Sequence, residues 1–334
     1  MARNVQGFEF RVWKATVMAK RKGAKNNFAK REAQNPEPSR RRVGQALEDN
    51  EQGVRLKVVR VFAYLVLLFT VTQVLGFYTG LFITKDAQQN EVIGSLQVVS
   101  QPEQPVSVLY IFFYVLLGAL VMFLLVRYYK GDLLFILIEF AVVSFSSSIV
   151  FYALLKPFLL QTELSMAAAI ALGLALGFLK SAFPGLKNFA AVMATAGAGA
   201  VFGFSLTFFT AAIFLALLSV YDYIAVFKTK HMVEMAESLS KRKTSFLVSS
   251  SQPSERGEIR LELGTGDMLI PIILEVTGYA ISPIYTAVSF SASVFSLFVL
   301  FVLLVQRKSA LPALPIIAAC NLVFFAAAKI IGII

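Results

Sequence analysis

Residues 188–228 form a 41-residue run in which only Asp222 and Lys228 are charged. A single helix crosses the ~30 Å hydrocarbon core with about 20 residues. So long a run must cross twice, and it is read as two spans. Further apolar runs lie on both sides of it. The expected spans are 58–83, 106–127, 132–155, 163–182, 188–205, 207–228, 265–282, 285–306 and 313–333. The chain is 57% hydrophobic, against about 45–50% for soluble domains. The fold class that follows is an all-α polytopic membrane protein with nine transmembrane helices.

Lysine and arginine orient these spans. The formal net charge is +11, and residues 1–60 hold 15 Lys/Arg against 6 Asp/Glu. If this tail is cytoplasmic, the inner loops carry Arg127 and Lys130, Lys180 and Lys187, seven Lys/Arg between Lys228 and Arg260, then Arg307 and Lys308. The outer loops carry only Lys85 and Lys156, and Lys329 is near enough to the outer end of the last span to snorkel. The positive-inside rule therefore supports nine spans, a cytoplasmic N-terminus and an outside C-terminus. Residues 1–57 read as a basic cytoplasmic tail, surface-associated and partly disordered, and 58–334 as one membrane domain with a cytoplasmic loop at 229–263. A basic tail next to a span is better matched to anionic lipid than to nucleic acid. Within that loop, GEIRLEL (257–263) alternates polar and apolar residues, the period of a short strand. The small-residue stripes GLALG and Gly199-to-Gly203 read as helix-packing surfaces.

Carboxylates inside spans cost free energy and are candidates for function. The candidates are Glu139, Asp222, Asp267 and Glu275. Asp222 lies six residues before Lys228, about 9 Å from the inner end of span six at 1.5 Å per residue. Asp267 lies in the first turn of span seven. Adjacent antiparallel helices would hold both at similar depth. Two carboxyls close together in low dielectric share a proton, which supplies an acid and a base at one pH. Such a pair could activate water, relay protons or simply lock two helices, and depth alone does not decide among these.

Other hydrolytic chemistries fail on inventory. The chain has one His (His231) and one Cys (Cys320), so neither a HExxH zinc site nor a Cys/His metal cluster can be built. His231 falls in the polar loop, away from a span serine, and no GxSxG is present.

Three segments then stand together: VYDYIAVF with Tyr221 and Asp222; GTGD with Gly264, Thr265, Gly266 and Asp267; and PALP with Pro312, Ala313, Leu314 and Pro315. In this order, each at the inner side of its span, they resemble the three motifs of the presenilin and signal-peptide-peptidase family of intramembrane aspartyl (GxGD) proteases. The resemblance covers about residues 58–334. It implies an intramembrane aspartic endopeptidase in which Asp222 and Asp267 are the catalytic pair, Pro312 to Pro315 shape the site and substrate groove, and Tyr221 and Gly264 to Gly266 frame the carboxyls. It implies transmembrane protein or peptide substrates, lipid surroundings, no cofactor and no metal; it leaves a homo-oligomer open. The basic loop between spans six and seven matches the presenilin orientation rather than the inverted signal-peptide-peptidase one. The brevity of that loop looks like a stand-alone microbial homologue. Glu275 departs from the family pattern. The competing readings are a proton-coupled secondary transporter, a prepilin-type GxGD peptidase, which leaves PALP unexplained, and a structural scaffold.

Overall fold

The structure, a computed structural model, describes residues 38–99, 104–129, 131–159, 161–229, 235, 238–240, 242, 244–254, 257–307 and 311–333. His231 and the first 37 residues of the tail lie outside these. The elements are α1 (Pro38–Asp86), α2 (Glu91–Gly94), α3 (Pro105–Tyr128), α4 (Leu133–Leu155), α5 (Thr162–Ala182), α6 (Lys187–Ser205), α7 (Phe208–Ile224), the hairpin strands β1 (Leu247–Ser254) and β2 (Gly257–Gly264), α8 (Thr265–Tyr279), α9 (Pro283–Arg307) and α10 (Ala313–Ile330). Among the described residues, eight helices are long and apolar enough to cross a membrane.

Expected and observed helices agree closely, with two differences. The first helix begins at Pro38, well before the expected span. Proline suits a first helical position, and the Arg-, Gln-, Ala- and Glu-rich stretch behind it has high helix propensity. The helix carrying Asp267 is only 15 residues long, about 22 Å at 1.5 Å per residue. It can be short because Met268 and every residue from Ile270 to Gly278 are buried, so protein rather than lipid surrounds it. The expected strand at 257–263 is β2. Its partner β1, LVSSSQPS, lacks the alternation that makes a strand legible.

The chain divides into two units. The smaller contains the start of α1 up to Leu65, the middle of the hairpin (249–261) and the end of α9 from Phe301. Within it, Phe62 stacks on Phe301 with ring centroids 4.0 Å apart, and the Lys57 ammonium donates to the Pro253 carbonyl at 3.0 Å.

The larger unit is organised around α8. Two GxxxG pairs grip it. A Cβ built on Gly76 of α1 or Gly199 of α6 would come within 2.6 Å and 2.9 Å of Ile272, and one on Gly80 or Gly203 within 2.4 Å and 2.7 Å of Val276. Small residues let the backbones close on these two branched side chains from both directions. The stripe at 199–203 is thus a packing surface, as its spacing predicts. The GLALG stripe is another: Gly173 and Gly177 of α5 lie against Ser148 and Ser144 of α4. On its other side α8 contributes Ile270, Ile273 and Leu274 to a core shared with Phe214 of α7 and Ile317 of α10.

Candidate active site

α7 packs on both α8 and α10, which brings the three motifs together. Asp222 is buried in the last turns of α7, 6% exposed. Immediately after it the helix loosens into a π-turn, Ala225–Thr229. Its Oδ2 accepts the Leu314 N–H at 3.2 Å, and the Ala313 N–H bonds to the same carboxyl. Ala313 and Leu314 are the first two residues of α10, behind Pro312 as the extended N-cap. A helix start leaves its first amides without intrahelical partners. Pro315 removes one of those donors, and Asp222 takes two. The PALP segment therefore contributes backbone amides, and its prolines fix where they point.

Asp267 is the third residue of α8, with Gly264 as N-cap. Its carboxylate reaches back to the Gly264 backbone N–H, the acidic half of a capping box. A Cβ on Gly264 would press to 3.1 Å of Asp267 Oδ2, whereas one on Gly266 would meet nothing within 4 Å. Close approach to the carboxyl therefore belongs to Gly264 alone, and Gly266 is exposed. Thr265 anchors the turn: its N–H and its hydroxyl each donate to the Phe246 carbonyl at 3.1 Å. The Asp222 and Asp267 carboxyls are near enough for their charges to interact. Tyr221 is half-buried beside Asp222. Pro312 is buried, and Pro315 is partly so.

The two remaining acids stand apart from this pair. Glu139 is ion-paired with Lys180 and accepts the Ser245 N–H. Glu275 is fully buried, and among the described residues neither of its carboxyl oxygens has a hydrogen-bond partner. Eight residues beyond Asp267, it lies about 12 Å further along the helix. Sequence reasoning did not find the Ala313 and Leu314 amides as partners of Asp222, because backbone donors leave no residue signature. It also passed over Gly76 and Gly80, although their spacing was legible.

A family model described as signal-peptide peptidase, presenilin aspartyl protease matches residues 66–333. A search of curated proteins finds no match. Among solved structures, a presenilin family intramembrane aspartate protease in a C222 crystal form is similar, with a TM-score of 0.59 and 23% identity over 81% of this chain and 99% of that one. The same description in a P2 form gives a TM-score of 0.56 and 24% identity over 80% and 96%. At these identities the solved structures speak for the fold, and the family model for the relationship. Covering most of the chain and all three motifs, it shows that this multi-pass membrane protein belongs to the signal-peptide peptidase and presenilin family of intramembrane aspartyl proteases.

Proposed function

We propose that Asp222 and Asp267 are the catalytic pair of this protease, and that it hydrolyses peptide bonds in or near transmembrane segments of other proteins. The observation that carries the reading is the convergence of α7, α8 and α10 on Asp222: the α10 amides hold its carboxyl while the Asp267 charge interacts with it. Two such carboxyls in low dielectric hold one proton between them. The ionised member takes a proton from water as it attacks the scissile carbonyl carbon. The protonated member donates to the carbonyl oxygen, and a proton then passes to the leaving nitrogen. Water is the only co-reactant.

A spanning helix hides its peptide bonds in internal hydrogen bonds, so a substrate must unwind before cleavage. β2 runs directly into Gly264, and an unwound substrate can add to a strand edge of the hairpin. The basic-residue pattern supports a nine-span topology with the N-terminus and the 229–263 loop cytoplasmic, residues 1–57 as a tail, and the site near the inner face.

The test is proteolysis of a single-span substrate by purified protein, comparing wild type with Asp222→Asn and Asp267→Asn. Cleavage within the span by wild type, abolished in each folded variant, is expected. Equal cleavage by all three would remove the pair from the mechanism.

A further inference from the structure

We infer that the buried Glu139–Lys180 ion pair positions Asp267 for catalysis through a chain of backbone contacts. The inference rests on Asp267 being catalytic, as proposed above. Glu139 of α4 and Lys180 of α5 are 4% and 8% exposed. Both helices are held together independently of this pair: Gly173 and Gly177 of α5 lie directly on Ser148 and Ser144. The ion pair is therefore not what joins them. Its additional contact is outward, to the loop, where the Glu139 carboxylate accepts the Ser245 N–H. Ser245 is itself buried. The next residue, Phe246, packs its ring on a cluster around Phe135 of α4, so this point of the chain is held by main chain and side chain alike. The Phe246 carbonyl then takes both the N–H and the hydroxyl of Thr265. Two residues later comes Asp267, whose carboxylate returns to Gly264.

The path runs Lys180, Glu139, Ser245, Phe246, Thr265, Asp267. Each link is a hydrogen bond, an ion pair or a short covalent step, anchored on two tightly packed helices. A carboxyl in the first turn of α8 depends on the placement of that turn, and Thr265 is the residue at which the turn is held from outside. Displacing a reacting group by about 1 Å can cost about a hundredfold in rate. Glu139 and Lys180 thus act as positioning residues: they touch neither substrate nor reacting atoms.

The test compares two double variants. Glu139→Leu with Lys180→Met replaces the pair by apolar side chains of similar size and removes the acceptor for Ser245. Glu139→Gln with Lys180→Met keeps an acceptor oxygen without the charges. The Leu/Met protein is expected to fold, to hold KM within about twofold of wild type and to lose roughly tenfold or more in kcat. The Gln/Met protein should recover most of that loss. A folded Leu/Met protein with wild-type kcat would overturn the inference. Thr265→Val, which leaves Glu139 and Lys180 in place and exchanges only the hydroxyl donor for a methyl, gives the second arm if the Leu/Met protein fails to fold. It should also lower kcat at constant KM, and unchanged kcat would overturn the proposal. Combined with Gln/Met, it should lower kcat no further than the more damaging change alone; full additivity would argue against one path. Asp222→Asn is assayed alongside. If it still cuts, the catalytic reading itself fails. If it is inactive while the Glu139 and Thr265 variants turn over normally, only the positioning inference fails.

Discussion

The Leu314 N–H donates to Asp222 Oδ2 at 3.2 Å, so a carboxyl on α7 caps the N-terminus of α10. One contact thereby ties the YD motif to PALP. It also makes the amides of α10, rather than any side chain in PALP, the groups that bear on Asp222.

Replacing Ala313 by proline tests this. Proline is well tolerated at the first position of a helix, and the preceding Pro312 already has the extended ψ of 122° that proline demands of its neighbour. The change deletes one donor and leaves the helix able to form. Hydrogen bonds to charged groups contribute about 1.5–3 kcal/mol, so kcat/KM should fall roughly tenfold to hundredfold while thermal unfolding stays close to wild type. Wild-type kcat/KM would show that the Ala313 amide has no part in setting the carboxyl.

The two glycines of GTGD should respond differently to alanine. Gly264→Ala places a methyl at 3.1 Å from Asp267 Oδ2 and is expected to reduce activity by moving that carboxylate. Gly266→Ala meets no neighbouring atom, so the folded protein should be as stable as wild type. Any activity loss at Gly266 then reports a clash with bound substrate, and a pair of melting curves with a pair of cleavage assays separates the cases.

The glycine grip on α8 is a stability element. Gly80→Ala and Gly203→Ala each drive a methyl into Val276, to 2.4 Å and 2.7 Å. Overpacking of this kind costs typically 1–3 kcal/mol. Each variant should unfold at lower temperature or denaturant concentration; Val276→Ala should rescue Gly80→Ala, whose clash is with the γ-methyls, and should not rescue Gly203→Ala, whose nearest atom is the Val276 Cβ that alanine retains. Failure of that rescue would place the strain elsewhere.

Glu275 is predicted to be dispensable for cleavage. It is fully buried and its carboxyl oxygens lack hydrogen-bond partners among the described residues, a state that costs about 1–3 kcal/mol per unsatisfied polar group. Glu275→Met fills similar volume without that penalty. The variant should be at least as stable as wild type and cut the same test substrate at a comparable rate. Complete loss of cleavage in a folded Glu275→Met protein would bring this third carboxyl into the mechanism.

Several features were legible in the chain itself because they are local. Apart from the early start of α1, apolar run length located the helices to within a few residues, since the bilayer sets the length of a span whatever its neighbours. The Gly199-to-Gly203 spacing announced a packing face, and the three motifs announced the family. The partners of these features were not legible, because each comes from a distant part of the chain. Val276 is gripped by Gly80 and Gly203, while Glu139 turned from a candidate acid into the partner of Lys180 and Ser245. Asp222 is held by amides whose availability depends on where α10 begins. By itself the sequence determined the membrane class, the helices and the residue types at the site. Only the tertiary structure decided which backbone groups meet those residues, because hydrogen-bond donors at a helix start are common to every sequence and become specific only when packing aims them at one carboxyl.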